Sequence, residues 1–359
     1  MCIACTATID TEKRDGFADQ LLGVLNGGMT ALMISLGHRS ELFDIMADGV
    51  ARTSHALAQE AGANERYVRE WLGSMVASRI VERDPEASTH RLPPEHAHWL
   101  SRKNPTANMA VFAQYVSVLG NVEDKILDCF KAGGGVPYSE FPRFHEVMAE
   151  DSGQSIVPII VSDVVPLMPG LHERLSAGIE VLDVGCGKGR ALMELARAYP
   201  NSTFTGYDLS KDALAEATHA AEAAGLENLR FVQRDLTHWH EAASFDLITA
   251  FDAIHDQARP DTVLAAIRTA LRPGGIFFMQ DIDTSSEPVD NINHPLGAML
   301  YAVSCMHCMT VSLAQGGLGL GATWGVQLAQ KMLREAGFDR IRIHRFEHDM
   351  QNCYFIMET

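Results

Sequence analysis

This chain of 359 residues predicts an α/β fold in two parts: an all-α N-terminal region with one small hairpin, then a parallel, doubly wound sheet. Three observations carry that expectation. From Gly178 onward strand-like and helical segments alternate, the pattern of successive βα units. Within them Glu180 to Leu192 reads Glu-Val-Leu-Asp-Val-Gly-Cys-Gly-Lys-Gly-Arg-Ala-Leu, an apolar run that breaks into three glycines before a helix begins. Before residue 104 the spacing is helical instead, and the length exceeds the roughly 100–200 residues of one domain.

The composition is that of a globular protein, 47% hydrophobic and 21% charged. A net charge of −17 disfavours nucleic acid and anionic membranes as partners, because a phosphate footprint needs clustered Lys and Arg. Seven cysteines, an odd number without a regular framework, fit a reducing compartment, and the chain is expected to be cytoplasmic. Met1 to Thr11 lacks the basic start and apolar core of a signal peptide. The apolar runs Ile156–Leu171 and Leu296–Met309 are interrupted or too short for a bilayer, so no membrane is expected.

Residues 1–103 are expected to form the first domain. Phe17 to Val50 has helical spacing with breaks at Gly27-Gly28 and near Gly37. Ser54 to Ala61 is a short helix ended by Gly62, and Asn64 caps a second one carrying Tyr67, Val68, Trp71, Leu72, Met75 and Val76. Ile80–Arg83 and His90–Leu92, joined across Asp84-Pro85, make a hairpin. Two helices, a tight turn and a hairpin form a winged helix-turn-helix, for which DNA binding is the obvious reading. Against it, Arg66, Arg69 and Arg79 are balanced by Glu65 and Glu70 in an acidic chain. Residues 104–170 are expected as a helical connector, helical over Ala110–Phe130 and again from Phe144. Tyr115, Tyr138, Phe141 and His145 are candidates to wall a pocket there, though core packing is the stronger reading of each.

The sheet is expected from Glu180–Val184, Thr203–Tyr207, Leu229–Gln233, Phe245–Phe251, Gly275–Ile282, Ile341–Phe346 and Cys353–Met357. Ligands of such sheets bind beyond the carboxyl ends of the strands. Gly185, Gly187 and Gly189 free the main chain for close approach there. Position 190 is Arg190, so Gly-x-Gly-x-x-Gly is not met, and Asp183 before the turn suggests a ligand with a positive group. Asp208 ends the second strand, where a carboxylate can accept both hydroxyls of a ribose. Asp235 follows the third, placed for an adenine amine, with Leu209 and Leu236 as apolar faces and Phe251 ending the fourth strand nearby.

Those motifs, in that order at the strand ends, resemble the core of class I S-adenosylmethionine-dependent methyltransferases over residues 178–282. With the winged-helix start, the whole chain is similar to a bacterial branch of small-molecule methyltransferases. The resemblance implies a Rossmann-like seven-stranded domain over 171–359 whose final strand is antiparallel. It implies S-adenosylmethionine held by the Gly185–Gly189 turn, Asp208 on the ribose and Asp235 on the adenine. It further implies a small-molecule methyl acceptor, and an N-terminal module that makes a homodimer and does not bind DNA.

Methyl transfer from a sulfonium needs alignment and a dry site, and a hydroxyl acceptor also needs its proton removed. Phe251-Asp252-Ala253-Ile254-His255-Asp256-Gln257 leaves the fourth strand beside the methyl position. Plant-type O-methyltransferases have a similar His-Asp-Trp stretch, which makes His255 the candidate base and Asp256 its neighbour; Gln257 replaces the tryptophan. O-methylation is therefore favoured slightly over N- or C-methylation. Residues 284–322 form an insertion, apolar and helical over Pro295–Leu313, then a glycine run from Gln315 to Gly325. A flexible cap is expected, with Tyr301, Met306, His307 and Trp324 lining the acceptor pocket. Cys2/Cys5 and Cys305/Cys308 have CxxC spacing, but Cys305 and Cys308 sit in an apolar helix and no metal is expected. The rival readings are a winged-helix transcriptional regulator with a cofactor-sensing domain, and an NAD-dependent oxidoreductase, which the Arg190 position argues against.

Overall fold

The computed structural model describes residues 9–104 and 108–359. They divide into two compact units, one ending at Ser117 and the other Val118–Thr359, so the division falls inside the expected connector.

The first unit begins with the helix Thr11–Arg39, capped by Asp10 Oδ1, which accepts the N–H groups of Glu12 and Lys13 at 3.1 and 3.2 Å. The expected breaks at Gly27-Gly28 and Gly37 are absent. Gly37 serves packing instead: a Cβ there would stand 2.5 Å from Trp71 Cζ2, and Trp71 Nε1 donates to the Met33 carbonyl at 2.8 Å. Every residue from Ile9 to Met29 is exposed. Asn64 caps Glu65–Ala77 by accepting the Arg66 N–H, and that helix buries Val68, Trp71, Leu72 and Met75. Strands β1 (Glu82–Asp84) and β2 (Thr89–Arg91) pair antiparallel as the wing. On the exposed helix face Arg66 is ion-paired with Glu70, and Arg69 with Glu65 at 3.4 Å. The helix expected over Ala110–Phe130 is two, Ala110–Gly120 and Glu123–Ala132.

The second unit holds seven strands: β3 (Glu180–Val184), β4 (Thr203–Asp208), β5 (Leu229–Gln233), β6 (Phe245–Phe251), β7 (Leu271–Ile282), β8 (Ile341–His344) and β9 (Asn352–Glu358). Their order is β5-β4-β3-β6-β7-β9-β8. Pairs among β3 to β7 are parallel, and β9 runs antiparallel to both β7 and β8. From β3 the chain winds outward to β5 and then returns to β6 on the other side. The crevice of such a reversal opens at the carboxyl ends of β3 and β6. Apolar residues fill both faces: Leu182, Ile248, Phe277 and Phe355 on one, Val181, Phe204, Phe278 and Ile356 on the other.

The insertion differs from expectation in two ways. Its apolar helix is interrupted: Gly297–Val303 passes through a π turn at Ser304–Cys308 before Met309–Ala314. The glycine run after it is packed, not a loose cap. A Cβ on Gly317 would lie 2.5 Å from Ala258 Cα, on Gly321 2.3 Å from Ser304 Oγ, and on Gly325 2.1 Å from the Ser286 nitrogen. Ser312 Oγ donates to the Gln257 carbonyl at 2.8 Å, and the Leu318 N–H donates to the Ala258 carbonyl at 3.0 Å. By length and composition alone Thr11–Arg39 and Gly297–Ala314 could cross a membrane, so apolar length does not exclude a bilayer, contrary to the expectation above.

Candidate active site

Three glycines shape the turn after β3, with φ of +72° at Gly185, +51° at Gly187 and +66° at Gly189. They do different things. A Cβ on Gly185 would stand 2.4 Å from the Ala253 methyl, and one on Gly189 2.4 Å from the Phe231 ring, so these two seat the turn on its neighbours. A Cβ on Gly187 would meet nothing within 4 Å. The middle glycine faces open space.

Asp208, the last residue of β4, ties that turn down: its Oδ2 accepts the Gly187 N–H at 2.8 Å and its Oδ1 the Ser210 N–H at 2.7 Å. Leu209 beside it is 54% exposed. Asp235 is exposed and caps the short turn Leu236–His238 by accepting the Thr237 N–H at 2.9 Å. Leu236, expected as an apolar face for a ring, is instead buried in the core with Trp239 and Leu264, because the short turn directs it inward. Phe251 is half-buried at the end of β6, its ring 5.9 Å from that of Phe278. Asp183 is buried, accepts the Thr249 hydroxyl at 2.7 Å, and burial pushes its carboxyl up to about 7.

At the end of β6, His255 is 3% exposed and directs Nδ1 at Asp281 Oδ1, 2.8 Å away. The same oxygen accepts Trp324 Nε1 at 3.0 Å and the Ile282 N–H at 2.8 Å. Trp324 therefore fixes the carboxylate that fixes His255. The Cys308 side chain lies near the same imidazole and adds to its electrostatic surroundings. Burial, the largest single influence, disfavours an imidazolium here, but the Asp281 carboxylate and the nearby Cys308 together outweigh it and hold His255 well above the ordinary histidine range. The first helix after β6, Pro260–Ala270, has Arg259 at its cap, so His255 does not serve as one. Next to it, burial pushes the Asp256 carboxyl up to about 6. Asp252, at φ +49°, accepts Gln280 Nε2 at 2.8 Å, and burial raises its carboxyl well above the usual range.

Tyr138, Phe141, Phe144, His145 and His307 form one ring cluster. Tyr138 stacks on His145 at 4.4 Å between centroids, with its hydroxyl 3.3 Å from Nδ1, and His307 stacks on Phe144 at 3.4 Å. Charge interactions tie this cluster to the turn and the dyad: Tyr138 feels Asp256 and Asp208, His145 feels Asp208, and His307 feels His255. The structure thus brings together His255, Asp256, Tyr138, His145 and His307 beside Asp208. Tyr301 stands apart, its hydroxyl accepting Asn291 Nδ2 at 3.2 Å, and Tyr115 is buried in the first unit.

Asp281 and Cys308 escaped the sequence reading as partners of His255. For Asp281 a signal existed: it lies near the carboxyl end of β7, in the same row of strand ends as Asp208 and His255. Cys2 and Cys5 lie outside the described residues. Cys305 and Cys308 are free thiols, and among the described residues no group of three or more His, Cys, Asp and Glu side chains is arranged to hold a metal.

Residues 28–102 match the family described as the Rv2258c-like winged HTH domain, and residues 175–337 match the family described as a methyltransferase domain. The fatty-acid O-methyltransferase of Mycolicibacterium smegmatis is 35% identical over 104 residues, which cover 29% of this chain and 37% of that protein. The chain thus spans little more than a third of that curated relative. Two solved structures share the fold along nearly the whole chain. Mitomycin 7-O-methyltransferase superposes with a TM-score of 0.70 at 16% identity, covering 97% of this chain and 100% of the other. Human N-acetylserotonin methyltransferase, solved in complex with S-adenosylmethionine, gives 0.68 at 16%, covering 98% and 99%.

Proposed function

We propose that this chain, a class I methyltransferase domain preceded by a winged-helix module, transfers a methyl group from S-adenosylmethionine to a hydroxyl of a small organic acceptor. The observation that carries the reading is the ordered pair at the strand ends: a glycine turn with an open central position beside Asp208, and His255 oriented by Asp281.

The residues present fit the cofactor. Gly187 leaves room where a side chain would intrude, Asp208 already aims a carboxylate at the turn, and Leu209 offers exposed apolar surface. The turn's main chain and Asp208 would hold the adenosyl and amino-acid portions, with the exposed Asp235 near the base. S-adenosylmethionine, when bound, supplies a methyl carbon on a sulfonium with a neutral leaving group. His255 takes the acceptor's hydroxyl proton on Nε2 while Nδ1–H stays bonded to Asp281, so the carboxylate fixes the tautomer and balances the imidazolium. Tyr138, His145 and His307 wall the acceptor side and exclude water.

A homodimer and a cytoplasmic setting belong to the same proposal. An exposed helix from Ile9 to Met29 with Phe17, Leu21, Leu22, Val24 and Leu25 on its surface is a poor ending for a monomer, and its glycines make it weak alone. A second copy covering it supports the reading. The paired arginines of the second wing helix offer little to phosphate, and DNA has no part in the proposal.

The test is a thermal-shift and calorimetric titration with S-adenosylhomocysteine, followed by a labelled-methyl screen of hydroxyl, amine and thiol compounds. Micromolar binding and label transfer to a hydroxyl are expected. No shift with S-adenosylhomocysteine overturns the reading.

A further inference from the structure

His307 is the most anomalous polar group in the second unit. It is 1% exposed, and neither ring nitrogen has a hydrogen-bond partner. It lies on the π turn Ser304–Cys308, next to the cysteine that reaches His255. Phe144 stacks on one face, and Tyr138 and Phe141 stand edge-on at 5.0 and 4.7 Å between centroids. Those neighbours hold the imidazole in place without satisfying it. An unsatisfied buried polar group destabilises a fold, so a stable scaffold would carry an apolar residue here unless something else bonds the ring.

The surroundings limit what that can be. Asp281, Asp256 and Asp208 make this end of the site acidic, and burial together with His255 and His145 keeps His307 itself uncharged. The cations of the adjoining glycine turn are committed: Lys188 to Glu216 at 2.6 Å, and Arg190 Nη1 to the Ala149 carbonyl at 2.5 Å. His255, when protonated, is committed to Asp281 at 2.8 Å, so a carboxylate or phosphate on the acceptor would lose its hydration here without gaining an unpaired positive partner.

We propose that His307 is the acceptor-recognition residue, giving or taking a hydrogen bond with an uncharged polar group of the acceptor, and that the site refuses anionic acceptors. This rests on the methyl-transfer reading above and narrows its substrate class to neutral molecules carrying a second hydrogen-bonding group besides the methylated one.

The first test needs no acceptor. His307→Leu and His307→Phe remove the unsatisfied nitrogens and keep the volume filled. Both variants, ligand-free, are expected to melt higher than the unchanged protein by about 2–4 °C, with the S-adenosylhomocysteine affinity preserved. If both melt lower, the ring has a structural partner and the proposal fails. The second test uses the protein loaded with S-adenosylhomocysteine and a matched pair of probes, 4-hydroxybenzamide and 4-hydroxybenzoate, followed by saturation-transfer NMR. Binding of the amide alone, weakened about tenfold in His307→Leu, is the expected result. Preference for the benzoate, or no binding of the amide at millimolar concentration, overturns it. Failure of the unchanged protein to bind S-adenosylhomocysteine would instead strike the methyl-transfer reading, which the ligand-free melts do not depend on.

Discussion

Replacing Asp281 by Asn removes one charge at the centre of the proposed proton path and leaves the shape almost unchanged. Oδ1 of Asp281 takes three N–H donors, from His255, Trp324 and Ile282, while Oδ2 has no partner. An amide can keep the acceptor, but it sets an NH2 where nothing receives it and leaves the imidazolium without a counter-charge. A hydrogen bond to a charged group is worth about 1.5–3 kcal/mol. Losing that stabilisation as the proton arrives slows methyl transfer about 10- to 150-fold. The pH dependence has a definite sign. Asp281 raises His255, so the base form gains population only above the ordinary histidine range, and the rate climbs through that raised value. In Asp281→Asn the limb moves to lower pH, because burial is then opposed by Cys308 without the carboxylate. Single-turnover transfer of labelled methyl to a hydroxyl acceptor measures the rate, and imidazole NMR follows the His255 titration without any acceptor. The same linkage gives stability that is fully present below about pH 6.5 and lost as pH rises through the raised value. An unchanged rate together with an unmoved His255 titration would refute the reasoning.

Other substitutions separate the parts of the site. Gly189→Ala forces a Cβ into the Phe231 ring at a positive φ, and the melting temperature should fall by several degrees; Gly187→Ala meets only backbone strain of about 1–2 kcal/mol, and should weaken S-adenosylhomocysteine more than it lowers the melt. Burial raises Asp183 to about 7, far above its unfolded value, so the protonated form is preferred in the fold and stability falls as pH rises from about 4 to 7. Asp183→Asn should remove that slope, and a parallel fall in both proteins' melts across the window would contradict the assignment. Leu21→Glu, in the middle of the exposed first helix, should convert a dimer to monomers in sedimentation equilibrium while S-adenosylhomocysteine still binds; a dimer that persists would place the interface elsewhere.

The strands were legible because each is a short apolar run between turn residues, and β3 with its glycines fixed where the crevice opens. Asp208 and His255 could be placed near one another because strand ends in a parallel sheet converge. Asp281 was harder: it sits in Phe277-Phe278-Met279-Gln280-Asp281-Ile282, where a lone acid looks like the start of a loop, and its partner is 26 residues away. Leu236 was misplaced because a three-residue turn has no periodicity from which to read its inward face. Glycine itself was ambiguous. The residues 315–325 read as flexible, yet several allow close packing, and Gly37 read as a break where it admits Trp71. A single sequence does not distinguish a glycine needed for freedom from one needed for space.

The π turn at Ser304–Cys308 amounts to one residue added to an otherwise ordinary helix. In an α-helix each residue advances about 100° around the axis. Deleting Met306 would therefore let the helix close into regular α register and swing His307 and Cys308 by roughly that angle relative to the segment behind them. Both side chains would leave the neighbourhood of His255 without a single chemical group of the dyad being altered. What His307 and Cys308 can reach is set by counting along the backbone: one amino acid more or fewer here would redirect both side chains.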